Sequence, residues 1–372
     1  MSGAIIAAAA WVLVAGVATW TLRPSWRPFA LIAAGAGALA LLSWPSLLCL
    51  ALATLATYRI GRLREGRFPA AALAITAITA IYLVLLWRSG GLPDDDTLRI
   101  LLPLGMAYYV LRLIHYLIEI DRGGFRDHSL VDYAGYQFFP AALPVGPIHR
   151  FDDFLRDLRR RRWDGELASW GASRILAGLV KIVLLGNILL GAKLAPAVTA
   201  ALPPGSFAAL YGATVIYWLN IYFQFSGYSS LAIGLGALLG FRLPENFNLP
   251  FLARNIGDFW RRWHMTLSAW CRDYVYTPAL ATWRAPFLAS AASMIVLGLW
   301  HEVSLHYLLW GLYHATGLTV WRRWDAIYAR LAPGLPAAVR HGWSGTARIL
   351  TLHFVMFSYP TANAVENLVL NR

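Results

Sequence analysis

The chain of 372 residues is 58% hydrophobic and 14% charged, with a mean hydropathy of +0.53. A soluble domain carries about 45–50% apolar and about 25% charged residues, so composition excludes a water-soluble globular enzyme and equally a disordered chain. The formal charge of +13 and pI of about 10.0 would suggest nucleic acid in a soluble protein. Here the basic residues fall between apolar runs and no nucleic-acid module accompanies them, so they read as topology signals and contacts for anionic headgroups.

A helix crosses the bilayer with about 20 apolar residues, and Ala4 to Leu22 qualifies. Its first positive charges, Arg23 and Arg27, follow the span, which predicts an uncleaved anchor with its N-terminus outside. Phe29 to Tyr58 is too long for one span and is interrupted at Ser43-Trp44-Pro45, predicting two short or tilted helices. Arg59, Arg62, Arg64 and Arg67 then mark a cytoplasmic loop. Phe68 to Trp87 crosses outward to Asp94, Asp95 and Asp96, and Thr97 to Ile120 crosses back. Residues 121–168 hold the densest basic cluster and are expected inside. Further apolar runs at 170–192, 206–224, 227–241, 285–300, 303–321 and 347–369 bring the total to roughly nine to eleven spans. The expected fold is an all-α polytopic membrane protein with added re-entrant and interfacial helices, built as one domain over 1–372.

Three shorter features interrupt this pattern. Between Tyr136 and His149, three prolines and a glycine break an apolar stretch, and proline removes backbone donors. Two readings stay open there: a kinked or interfacial segment, or a re-entrant one shaping an internal cavity. In Arg150 to Arg162, Phe151, Phe154, Leu155 and Leu158 form an apolar stripe among six arginines and three aspartates. That segment fits a cytoplasmic interfacial helix held by anionic lipid, or a docking surface for an acidic acyl carrier protein. Cys49 and Cys271 form neither a disulfide framework nor a CxxC pair.

Two segments could carry chemistry. Read as one helix over Arg254 to Pro278, the sequence places Arg261, His264, Ser268 and Arg272 within about 80° of one another, opposite an aromatic face. An amphipathic helix lying on the membrane surface fits the same pattern. Further on, His301 ends a long apolar run, and a histidine at membrane depth is a functional candidate, either as a general base or as a hydrogen-bonded core residue. His306, Trp310 and His314 follow at helical spacing. Two histidines eight residues apart are separated by about 12 Å along a helix, too far to share a metal, so they are expected to line a core or tunnel.

Read together, these residues resemble the membrane-bound O-acyltransferase family. The resemblance runs through Gln137-Phe138-Phe139-Pro140, Gly146-Pro147-Ile148, the stretch Phe225 to Gly236, and Arg242 to Pro250. It continues in Phe259-Trp260-Arg261-Arg262-Trp263-His264, Arg272-Asp273-Tyr274 and Gly298-Leu299-Trp300-His301, covering residues 137–321. The bacterial branch it approaches acetylates alginate and other exopolysaccharides or D-alanylates teichoic acids. The resemblance implies a helical bundle around a tunnel, with His301 as catalytic histidine and His264 as the second motif histidine. It adds Arg261, Ser268, Arg272, Asp273, Tyr228, Asn246 and Trp300 as substrate-binding or tunnel residues. It implies no tightly bound cofactor and no metal. An acyl thioester, on a carrier protein or coenzyme A, would be co-substrate, and a polysaccharide or other envelope hydroxyl the acceptor. The bacterial inner membrane is the expected location. Glu302 and the brief 277–286 segment depart from the family pattern. Two competing classes remain: a transporter or flippase of a lipid-linked or acyl substrate, and an inactive scaffold of an envelope-modification complex.

Overall fold

The computed structural model describes residues 2–62, 73–82, 84, 105–125, 127–143 and 145–370. Arg64, Arg67, Asp94, Asp95, Asp96 and much of the expected 68–87 span lie outside them. Among the described residues the fold is all-α, with one isolated antiparallel bridge between Phe247 and Trp263. Two helices among the described residues, Pro24–Leu42 and Gly165–Ala201, are long and apolar enough to cross a membrane. Ala7–Thr21, Leu73–Tyr82 and Pro286–His301 are shorter apolar helices.

In chain order the helices are α1 Ser2–Thr21, α2 Arg27–Leu42, α3 Trp44–Arg62, α4 Leu73–Tyr82, α5 Met106–Asp121, α6 Leu130–Gln137 and α7 Phe151–Arg160. Then come α8 Gly165–Leu179, which runs on through a π-helical stretch Val180–Leu194 into α9 Ala195–Ala201, and α10 Phe207–Leu238. The last set is α11 Ile256–Trp260, α12 Met265–Cys271, α13 Thr277–Trp283, α14 Pro286–His301, α15 Leu305–Leu331, α16 Ala337–Met356 and α17 Ser358–Leu370. The expected break falls at Ser43, which is extended between α2 and α3; Pro45 sits in the first turn of α3, where a missing N–H leaves no bond unmade. The two apolar runs at 206–224 and 227–241 are instead a single helix, α10. No proline stands between them, and Ser226-Gly227 alone does not supply a stop signal. The last run divides at Phe357.

By contacts the chain forms two compact units, Met1–Leu179 with Tyr228–Pro244, and Val180–Gly227 with Glu245–Arg372. In the first, glycines let backbones approach where apolar helices have little else to hold them. A Cβ on Gly35 would lie 1.7 Å from the Phe138 carbonyl oxygen, and one on Gly234 would lie 2.5 Å from that of Gly171. The aromatic core joins Tyr116, Tyr133, Tyr136, Phe151 and Phe154, with Tyr116 and Tyr133 stacked at 3.9 Å. The proline-rich stretch is buried against it: the Tyr136 hydroxyl donates to the His149 carbonyl at 2.8 Å, and Arg112 donates to the Tyr136 carbonyl at 2.9 Å.

The amphipathic helix expected at 150–162 is present as α7, with Phe151, Phe154 and Leu155 buried. Its arginines do not all face outward. Arg161 is buried at 8% exposure, its guanidinium over the Trp20 ring at 4.1 Å and donating to the Thr19 hydroxyl. Burial pulls its pKa down to about 10. It therefore serves as a packing cation rather than a headgroup contact, because the indole face offers an electrostatic partner in place of water. Arg156 pairs with Asp153 at 2.7 Å and Arg159 with Asp127 at 3.7 Å.

In the second unit, α14 and α15 form a tight antiparallel pair. A Cβ on Gly298 would stand 2.4 Å from the Tyr307 carbonyl oxygen, and one on Gly311 2.7 Å from that of Met294. Ser304 caps α15 by accepting from the Tyr307 N–H at 3.3 Å. α17 is fastened to α15 by Trp310 Nε1 donating to Ser358 Oγ at 3.1 Å. Elsewhere in this unit Gln224 Nε2 donates to Asn187 Oδ1 at 2.6 Å, beside Gly186, where a Cβ would meet that amide at 2.5 Å.

The glycine contacts separate two substitutions of the same kind. Gly234→Ala is expected to lower the thermal midpoint of the detergent-purified protein by several degrees, because backbone must move to admit the methyl group. Gly342→Ala, in the open on α16 with nothing within 4 Å, should leave it unchanged or raise it through the roughly 1 kcal/mol helix preference of alanine. Thermal unfolding of both variants side by side checks this; equal midpoints would contradict it.

Candidate active site

The sequence over Arg254 to Pro278 is not one helix. α11 ends at Trp260, and the chain then turns through His264, whose φ of 43° lies in the left-handed region. A residue with a Cβ adopts that conformation at a cost of roughly 1–2 kcal/mol, so something must hold it. The holder is Asn246, fully buried. Its carbonyl oxygen accepts from the Met265 N–H at 2.9 Å, and its Oδ1 from Thr266 Oγ1 at 2.6 Å and the Thr266 N–H at 3.4 Å. The Asn248 N–H donates to the Arg262 carbonyl at 2.9 Å. These bonds satisfy donors at the start of α12 that a continuous helix would have paired within itself. The shared polar face expected for Arg261, His264, Ser268 and Arg272 is thus broken at the turn.

His264 is 3% exposed, edge-on to Phe225 at 4.7 Å, and its Nε2 is buried with no hydrogen-bond partner. His301 comes from a different element, as the last residue of α14. Extended Glu302 ends the helix there, and the close approach at Gly298, one turn earlier, fixes that end against α15. The His301 ring is stacked on Tyr307 at 5.5 Å and lies 4.8 Å from that of Trp300 and 6.3 Å from that of Trp310. Although these rings surround it, His301 is exposed, as expected of a group at the wall of a recess. Both histidines line one cavity of about 130 Å³. The rest of its wall is mainly aromatic: Trp218, Phe225, Phe259, Trp263, Trp310 and Tyr359 among others.

The other residues singled out in the sequence stand elsewhere. Trp300 is buried next to both histidines, 5.9 Å from the His264 ring. Asn246 is the tether just described. Ser268 Oγ donates to the Trp263 carbonyl at 3.2 Å. Arg272 and Asp273 pair with each other at 2.8 Å, and Arg261 lies 3.7 Å from Asp258 with its side chain 65% exposed. Tyr228 is exposed and belongs to the first unit. None of these seven is part of the cavity wall. His306 turns away, its Nδ1 3.8 Å from Glu366 Oε2, whereas His314 lines the cavity. Trp260 also lines it, and sequence periodicity gave no separate signal for it. Among the described residues no group of three or more His, Cys, Asp or Glu side chains is placed to hold a metal.

The cavity can hold a small group between two imidazoles from different elements, within a mainly aromatic wall. A neutral imidazole there can accept a proton from a hydroxyl within hydrogen-bond reach, and the aromatic walls disfavour hydrolysis as a side reaction.

A family model described as MBOAT, membrane-bound O-acyltransferase family, matches residues 96–359. The probable alginate O-acetylase AlgI of Pseudomonas aeruginosa is 35% identical over 267 residues, covering 70% of this chain and 49% of that protein. The teichoic acid D-alanyltransferase of Bacillus subtilis is 29% identical over 311 residues, 77% of this chain and 75% of that protein. The peptidoglycan O-acetyltransferase of Helicobacter pylori is 28% identical over 306 residues, 73% and 56% respectively. The chain spans about half the length of the alginate relatives it matches.

The turn before His264 also ranks its arginines. Arg262 is the anchored one, donating to Asp258 at 3.0 Å and to the Asn248 carbonyl at 3.2 Å with a side chain 29% exposed. Arg262→Gln should destabilise the purified protein by roughly 1–3 kcal/mol, the range for a lost charged hydrogen bond. Arg261→Gln should stay within about 0.5 kcal/mol, as for a surface substitution. Unfolding curves of the two variants decide the order.

Proposed function

The chain belongs to the membrane-bound O-acyltransferase family, and from that premise we propose that it is an integral-membrane O-acyltransferase. It moves an acyl group, acetyl or similar, from a thioester donor to a hydroxyl of a cell-envelope or exported polysaccharide. The observation that carries this reading is the meeting of His264 and His301 on one aromatic-walled cavity. His301 takes the proton of the acceptor hydroxyl as its oxygen attacks the thioester carbonyl; His264 polarises that carbonyl or orients the donor. A thiol, with an ordinary pKa of about 8.5, leaves without a strong acid, which suits a cavity whose wall, among the described residues, carries no carboxylate. The donor arrives on coenzyme A or an acyl carrier protein as co-substrate, with no tightly bound cofactor.

The same reading extends to the surroundings. The many apolar runs make the chain one multi-pass domain of the bacterial inner membrane, with roughly nine to eleven spans around a tunnel. The basic loops at 59–67 and 121–168 are cytoplasmic, and the N-terminus lies outside. α7 is the surface on which an acidic carrier protein would dock. With Arg161 buried and Arg156 and Arg159 paired, the residues that test it are the exposed Arg160 and Arg162. Reversing both to glutamate should raise the apparent KM for carrier-bound donor without disturbing membrane insertion, and salt should mimic the effect on the unaltered protein. Unchanged donor kinetics would leave these arginines as topology signals.

Mass spectrometry of envelope glycans from cells with and without the protein identifies the acyl group and acceptor together. In the same cells His301→Ala should reduce acylation by about 10²–10⁴-fold, the contribution of a general base, at unchanged protein levels. His264→Ala should be severely impaired. Full acylation with His301→Ala would remove the assignment, and transport of an acyl substrate that survives the change would favour a carrier instead.

A further inference from the structure

Two polar side chains in the cavity have no part in the chemistry described so far. Trp260 ends α11 at 8% exposure, and its Nε1–H is buried with no hydrogen-bond partner. His314, on α15, has no exposure at all, and neither of its ring nitrogens has a partner. Both line the His264–His301 cavity, and their rings meet edge-on with centroids 5.2 Å apart. Buried polar atoms in native proteins are nearly always paired, so a cluster left unpartnered beside one cavity calls for an occupant.

The chemistry of the two groups narrows what that occupant is. An indole N–H can only donate, and a neutral imidazole carries one N–H beside one lone pair. Together they present two donors to an atom that accepts. Among the groups brought together in an acyl transfer, the hydroxyl donates as well as accepts, whereas the acyl carbonyl oxygen only accepts. It is also the atom on which negative charge grows during the reaction, where donors already in place are most effective. The geometry points to Trp260 and His314 as the subsite for the acyl carbonyl oxygen.

This assignment rests on the acyl-transfer reading of the cavity and deepens it. As the acceptor oxygen forms its bond to the carbonyl carbon, the carbonyl π pair moves onto the oxygen held by Trp260 Nε1–H and the His314 N–H. Collapse restores the double bond and breaks the carbon–sulfur bond. The departing thiolate takes up the proton that His301 removed from the hydroxyl, so no oxidant, reductant or further reactant is needed. His264 is then the group that orients the donor. A resident water could satisfy the same atoms, and the experiment below separates the two cases.

The test measures binding of two unreactive probes to the detergent-purified protein by calorimetry. One is the ketone analogue of S-acetylpantetheine in which methylene replaces sulfur; the other is S-ethylpantetheine, which lacks the oxygen. The unaltered protein should bind the ketone about tenfold more tightly, the effect of one or two well-placed hydrogen bonds. Trp260→Phe and His314→Phe should each lose most of that preference while binding S-ethylpantetheine as before, which also certifies a folded cavity. His314→Asn, which keeps an N–H donor, should retain more of the preference than His314→Phe, and His301→Ala should keep it whole. If the unaltered protein binds both probes equally, or the preference survives in both phenylalanine variants, the subsite is overturned while the thioester reading stands, and water is the occupant. If neither probe binds, the thioester reading falls, and the subsite with it.

Discussion

The candidate site depends first on Asn246. Its backbone carbonyl and its side-chain amide oxygen take the donors of Met265 and Thr266, 19 and 20 residues further on, and so hold His264 in a backbone conformation it would otherwise leave. Without that capture the stretch from α11 to α12 has every local reason to continue as a helix, and the imidazole would leave its place on the cavity wall. The site is therefore secured by burial of one small amide whose bonds cannot be exchanged for water. A buried acceptor removed from such an arrangement leaves its donors stranded, which makes the geometry stiff rather than merely favoured.

A second constraint fixes the other histidine. His301 is the end of a helix, a position that usually frays. Here the last turn is pressed against the next helix through Gly298, and the turn that follows is closed by the Ser304 cap. Apolar helices gain little from burying one another in a lipid environment, so close backbone approach at small residues takes over as the source of order. The two imidazoles are positioned by unlike means, one by a long-range amide and one by van der Waals contact.

The sequence is legible where local signals act. The interruption at Ser43, the amphipathic α7, and His301 at the end of an apolar helix follow from proline placement, periodicity and hydropathy. It is less legible where a distant partner overrides the local preference. Nothing within 254–278 announces that Asn246 divides the segment, so the arginines and Ser268 fall on one imagined face that the fold does not build. Arg161 reads as one more basic residue of a surface run, and only the position of Trp20, 141 residues or so earlier by numbering, turns it inward. The aromatic wall of the cavity is drawn from α10, α11, the turn at Trp263, α15 and α17, and no single stretch of sequence contains enough of it to show the enclosure. The family pattern brings His264, His301 and Trp260 forward and helical spacing brings forward His314; that Trp260 and His314 meet on one wall emerges only when the wall is assembled.

The amide pair between Gln224 and Asn187 bears on how the second unit avoids sliding. Long, featureless hydrocarbon surfaces fit together in many registers of nearly equal energy, and a π-helical stretch such as Val180–Leu194 adds looseness of its own. One hydrogen bond between carboxamides, admitted by the missing side chain of Gly186, singles out one register, because any shift would leave two polar groups facing hydrocarbon. In that sense the pair acts as an index mark: it adds little to adhesion but makes one alignment distinguishable from its neighbours.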